Sequence, residues 1–247
     1  MKFPALLALC LASPAFANGL DDIKNAITPL QGQGVLHGVY EAKQQKTDLE
    51  SKTAKGPDSA SAAAQVDEDA TGLQIRWDRA LLKRAADDAN PSKGAKKAEA
   101  LLGLIGSSSA PRVAQAVNYA PKFLESLAYS QLVSERADTY QGKPARLVEL
   151  NITPPDDNND KVKVKENKHV AHVWLSADGT PLAATVNHSI KASFMVFMSY
   201  EKSSKEEFTF AVLANRLVVL KREDQGTEKG FGNSSQYRNS YTFTPKA

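Results

Sequence analysis

Four histidines, His37, His169, His172 and His188, are the side chains of this sequence most suited to metal or acid–base chemistry. His169 and His172 form an H-x-x-H pair. On a helix they would share a face, but the flanking residues predict a strand, where positions three apart point to opposite sides. A shared zinc site is therefore not expected, and Cys10 is the only cysteine that could add a thiolate. No G-x-S-x-G or S-x-x-K pattern supplies an activated serine, and Ser203-Ser204-Lys205 reads as a turn. The run Gly103 to Ser109 lacks the G-K-[ST] of a phosphate loop and follows a helix, so it reads as a helix stop. Asp156-Asp157-Asn158-Asn159-Asp160 has the composition of a calcium loop but not its central glycine or spacing. With no nucleophile or metal constellation, the expectation is a non-catalytic protein without cofactor.

The segment Ser193 to Tyr200 points elsewhere. As one strand it would put Phe194, Val196, Met198 and Tyr200 on one face and Met195 and Phe197 on the other. A sheet wet on one side alternates polar and apolar residues, so this segment predicts cover on both faces. One face would pack on helices. The other would line a cavity for an apolar ligand or sit in a filled core, and the pattern fits both. Trp77 and Trp174 are the aromatic candidates to join it. Trp174 shares a face with His172 and Val170 and suits a cavity rim.

The elements that must hold these residues follow from periodicity and turn chemistry. Met1-Lys2, an apolar run from Phe3 to Leu11, and Pro14-Ala15-Phe16-Ala17 predict a signal peptide, residues 1–17, and export to the periplasm. Cys10 does not read as a lipid-anchor site, because Leu9 occupies the place where a small residue is needed. The rest of the chain then contains no cysteine, which excludes disulfides and thiolate catalysis. Lysine and arginine number 31 against 28 acidic residues, giving no electrostatic case for nucleic acid. No later stretch is long and apolar enough for a transmembrane helix.

A helix is predicted over 20–30, a strand over 35–46, a mobile polar loop at about 47–70 and a strand over 72–77. A helical insert at about 79–128 breaks at Asn90-Pro91-Ser92, and Pro111 and Pro121 favour two short helices over one kinked helix. From Tyr129 onward strands follow one another, joined by turns such as Gln141-Gly142-Lys143-Pro144 and Asp178-Gly179. Two of these joints are predicted at residues 202–205 and in a loose, glycine-rich stretch over 224–235. Short joints mean antiparallel neighbours. The fold expected for 18–247 is one α+β domain, a curved antiparallel meander of nine or ten strands with a few helices covering one face.

Three stretches carry a resemblance. They are Gly34-Val35-Leu36-His37-Gly38-Val39-Tyr40, Tyr140-Gln141-Gly142-Lys143-Pro144-Ala145-Arg146-Leu147-Val148-Glu149-Leu150, and His172-Val173-Trp174-Leu175-Ser176-Ala177-Asp178-Gly179-Thr180-Pro181-Leu182. With the order of elements, they make the chain similar to the periplasmic lipoprotein-carrier (LolA/LolB-like) proteins and their relatives of unknown function. The resemblance implies an unclosed half-barrel around an apolar cavity lidded by helices. It also implies a hydrophobic ligand, a lipid or lipoprotein acyl chain. The alternative expectation is an envelope interaction or assembly factor acting through residues 47–70 and 224–235.

Overall fold

The computed structural model describes residues 18–32, 34–50, 57–90, 100–155, 162–194, 198–230 and 232–246. The expected signal peptide, the 156–160 acidic run and Val196 lie outside them. A short helix, α1 (Gly19–Ile27), precedes three strands, β1 (Leu36–Asp48), β2 (Asp58–Asp69) and β3 (Gly72–Trp77). Four helices follow, α2 (Arg79–Ala89), α3 (Ala100–Ser107), α4 (Ala110–Val117) and α5 (Ala120–Ala128). Seven strands complete the chain: β4 (Ser130–Tyr140), β5 (Lys143–Ile152), β6 (Val162–Leu175), β7 (Pro181–Phe194), β8 (Met198–Leu213), β9 (Arg216–Gly230) and β10 (Asn233–Pro245). All ten strands form one antiparallel sheet in the order β3-β2-β1-β10-β9-β8-β7-β6-β5-β4. The sheet is not closed: β3 and β4 are its two ends. This is the α+β curved half-barrel expected from the strand pattern.

Turn chemistry sets the registers. Gln141 and Gly142 have φ 51° and 76°, two consecutive left-handed residues that match the twist of β4 and β5. Ala214 and Asn215 do the same between β8 and β9, with φ 48° and 56°. Asparagine tolerates this region, but alanine pays about 1–2 kcal/mol because its Cβ crowds the following carbonyl. Ala214→Gly is therefore expected to stabilise the protein by a net ~0.5–1 kcal/mol, after glycine's larger unfolded-state entropy is subtracted. An unchanged or lower urea midpoint would refute the strain.

Three expectations need correction. Residues 58–69 are not loop: β2 pairs with β1 from Leu36↔Glu68 to Lys46↔Asp58 and with β3 from Ala64↔Trp77 to Asp69↔Gly72. Its composition is rich in Ala, Ser and Asp, yet Ala62, Ala64 and Val66 are buried at every second position. Alanine fits there because helix α3 packs closely on this strand. Second, the segment 193–200 is not one strand. β7 ends at Phe194 and β8 begins at Met198, and the two are register partners across a hairpin. Third, residues 202–205 lie inside β8, and the expected loose segment at 224–235 belongs mostly to β9 and β10, which pair from Thr242↔Lys221 to Asn233↔Gly230. The long strands run past the helical layer, so their polar content had suggested joints.

The helices share one face of the sheet and bury two apolar clusters. Leu20, Ile23 and Ile27 of α1 and Phe123 and Leu127 of α5 pack on Val148, Leu150, Val173, Leu175, Phe208 and Phe210. Leu101 and Leu104 of α3 and Val113 and Val117 of α4 pack on Tyr40, Ala42, Val66 and Phe243. The helix ends are fixed locally. Asn18 caps α1 by accepting from Leu20 N, and Asp78 caps α2 by accepting from Ala80 N and Leu81 N. Prolines stand in the first turns of α4 and α5, which are two separate helices as the sequence predicts.

Candidate functional site

The tyrosine and phenylalanine side chains of the α4–α5 region meet those of β8 under the helical layer. Tyr119 closes the link between α4 and α5, and its N–H donates to Leu217 O of β9 at 2.7 Å. Its ring lies 5.5 Å from Phe208, 5.7 Å from Phe210 and 6.0 Å from Phe123. Phe208 and Phe210 stack at 5.8 Å on β8. A bulge in the β8–β9 ladder between Thr209 and Phe210 accompanies this pair.

Beside this cluster a cavity of about 430 Å³ opens between α5 and strands β5–β9. Leu127, Leu150, Ile152, Ala171, Val173, Ala184 and Val186 supply its aliphatic wall, and Phe123, Phe208 and Phe210 its aromatic one. Lys122 and Glu125, paired at 2.9 Å, lie on the exposed side of α5 at this cavity.

Part of the cavity lining is polar. Arg222 donates to Glu206 at 2.8 Å and lies over the rings of Phe208 and Tyr241, 5.6 and 5.7 Å from their centres. Its Nε is buried without a hydrogen-bond partner among the described residues. Burial, with the Glu206 charge adding to it, pushes the Tyr119 hydroxyl up to about 12, so it stays protonated and neutral. Tyr40, on the far side of Arg222, is pushed up to about 12 chiefly by burial.

The histidines divide as strand geometry requires. His172 faces Glu149 at 3.9 Å, while His169 faces the cavity and pairs across the ladder with His188. The two rings meet edge to face with centres 3.7 Å apart. His188 Nε2 is 3.2 Å from Asn167 Oδ1, and His169 Nε2 is buried without a partner among the described residues. Burial holds both imidazoles below the usual histidine range, and burial, His169 and Lys202 bring His188 to about 4.

The structure does not gather the residues singled out in the sequence. Phe194 and Met198 flank the β7–β8 hairpin, opposite one another. Tyr200 stands two residues farther along β8, partnered by Ala192 and Gly230. Trp77 ends β3 and packs at the second apolar cluster. Trp174 lies on the opposite face of β6 from buried Val173, where its Nε1–H donates to Asp138 Oδ2 at 3.1 Å and its ring tilts against Tyr140 at 6.2 Å. Tyr200, Trp77 and Trp174 are not among the residues lining the cavity. The residues that do line it were available as two signals: Phe208-Thr209-Phe210 alternates with period two, and Tyr119 and Phe123 are four apart, one helical turn.

Among the described residues no helix is long and apolar enough to cross a membrane, and no group of three or more His, Cys, Asp or Glu is placed to hold a metal ion. No protein-family model matches the chain. No curated protein matches it either. Among solved structures, the crystal structure of MucB in complex with MucA(peri) aligns with 91% of this chain and 94% of that one, at 9% identity and a TM-score of 0.21. A likeness this slight assigns no function.

Proposed function

We propose that this protein is a non-catalytic binding protein of the periplasm that takes an apolar chain, such as a lipid or lipoprotein acyl group, into the cavity beneath α5. The carrying observation is the cavity itself: about 430 Å³, with an aliphatic and aromatic wall and with Lys122, Glu125, His169, Glu206 and Arg222 among its polar lining. Its size falls within the range typical of small-ligand sites, and its lining matches their usual composition. Export rests on the Met1–Ala17 pattern, and the absence of cysteine after Cys10 fits a chain that holds itself together by its core.

Val186→Trp tests the reading by filling the cavity from the sheet side. Val186 is only partly buried, so the larger ring has room to enter without displacing a packed core residue. The wild-type protein is expected to retain or take up a fatty acid, measured by native mass spectrometry after incubation with palmitate. The variant is expected to lose that uptake while its melting temperature changes little. Equal uptake by both proteins, or none by the wild type, would overturn the proposal.

A second reading, a protein-interaction role, is favoured by the open edge of β4. Val133 is 57% exposed there and has no register partner, because the β4–β5 ladder skips from Leu132 to Ser134. A partner strand adding at this edge would be blocked by Val133→Pro and indifferent to Val186→Trp. Crosslinking of the two variants in cells therefore separates the readings.

A further inference from the structure

We infer that His169 and His188 form a two-histidine site for a late first-row divalent metal ion at the cavity's edge. The inference does not depend on what else the cavity holds. Directly opposite residues on antiparallel strands bring their Cβ atoms to about 4.5–5.5 Å, close enough for two imidazoles to reach one ion. His169 and His188 are such a pair, and their ring centres stand 3.7 Å apart.

The ring planes cross at 81°, so an ion is taken up with a turn of the rings that aims one nitrogen of each at it. His169 Nε2 is buried with no hydrogen-bond partner among the described residues, which is costly for a polar atom unless something occupies it. Asn167 Oδ1 accepts from His188 Nε2 at 3.2 Å, so Nε2 carries the proton and Nδ1 keeps the lone pair. A carbonyl that fixes the tautomer of a ligand histidine is the usual outer-shell partner at metal sites. The cation beside the pair is already answered, since Lys202 donates to Glu228 at 2.9 Å. Imidazole donors suit Cu²⁺ and Zn²⁺ rather than Mg²⁺ or Ca²⁺. With only two protein ligands, the remaining coordination positions go to water or to a ligand in the cavity.

The test is calorimetry of the untagged protein with CuCl₂ and with ZnCl₂ in a non-coordinating buffer. One ion per chain is expected, Cu²⁺ bound more tightly than Zn²⁺. His169→Gln and His188→Gln should each weaken Cu²⁺ binding by more than about tenfold, and Asn167→Ala by roughly tenfold. The His37→Gln/His172→Gln double variant should bind like the wild type. The inference fails if the wild type takes up no ion, if His169→Gln/His188→Gln binds unchanged, or if binding is lost with His37 and His172 instead. Should a His169 or His188 variant not fold, the electron paramagnetic resonance spectrum of the wild-type Cu²⁺ form decides. Hyperfine coupling to two imidazole nitrogens supports the site, and coupling to one or none overturns it.

Discussion

Gly38→Ala is expected to destabilise the protein by about 3 kcal/mol, far more than a single methyl group would suggest. Phe243, 2% exposed, is the register partner of Tyr40, and its ring reaches diagonally over Gly38. A Cβ at position 38 would stand 2.5 Å from Phe243 Cε2 and 2.7 Å from Thr244 O. The second of these is backbone and cannot swing away, so the ring has to leave its site in the cluster of Tyr40, Val66 and Val117. Against this, alanine offers only ~0.5–1 kcal/mol through lower unfolded-state entropy. Phe243→Ala should itself cost roughly 3–5 kcal/mol by leaving a cavity. The two changes compete for one volume, so the double variant should be more stable than the sum predicts by ~1–3 kcal/mol. Urea unfolding of the four proteins measures this; strict additivity would show that ring and glycine are independent.

Arg146→Leu has the other large expected effect, about 3 kcal/mol, and it acts on α1. Arg146 is 12% exposed and donates to Asp22 of α1 at 2.5 Å and to Glu135 of β4 at 2.9 Å. Glu135 in turn accepts from Gly19 N at 3.0 Å. One guanidinium on β5 thus answers two carboxylates and ties the first helix to the sheet. Without it, two part-buried negative charges face each other with no cation between them. The burial gained by leucine is smaller than that repulsion and lost solvation. Adding Asp22→Asn and Glu135→Gln should restore most of the stability, because both amides keep an acceptor oxygen and neither carries charge. Hydrogen exchange at Ile23 and Ile27 reports the docking directly: fast in the single variant, slow again in the triple. Slow exchange in all three would remove Arg146 from the account.

The sheet was legible because its turns carry their own chemistry. Asp178-Gly179, with φ +84° at the glycine, and Gln141-Gly142 mark hairpins that any register must respect. β2 was missed because its inward residues are alanines, weak strand formers that only the close approach of α3 explains. The break between β7 and β8 was missed because Phe194 to Met198 is apolar throughout, and apolar continuity carries no turn signal. The polar interior of β8, from Lys202 to Lys205, looked like a joint because the strand there has outrun the helices and needs no apolar side. The cavity was hidden for a different reason. Tyr119 and Phe123 come from the helical insert and Phe208 and Phe210 from a strand nearly ninety residues later, and only packing brings them together. The separation of His169 from His172 followed from strand period alone, whereas the partnership of His169 with His188 required the register.

In this topology the first strand leans on the last: β1 pairs with β10 along its length, from Gly38↔Pro245 to Asp48↔Ser235. Strands β4 to β10 can zip up in order of synthesis, each beside its predecessor. The meander of β1, β2 and β3 has no place in the sheet until β10 exists. Completion of the sheet is therefore postponed until β10 has been made. The same wiring puts the first and last strands side by side. A circular permutant joined across β1 and β10 and opened at Ser109, between α3 and α4, would run as one unbroken succession of neighbouring strands and should fold faster than the natural order.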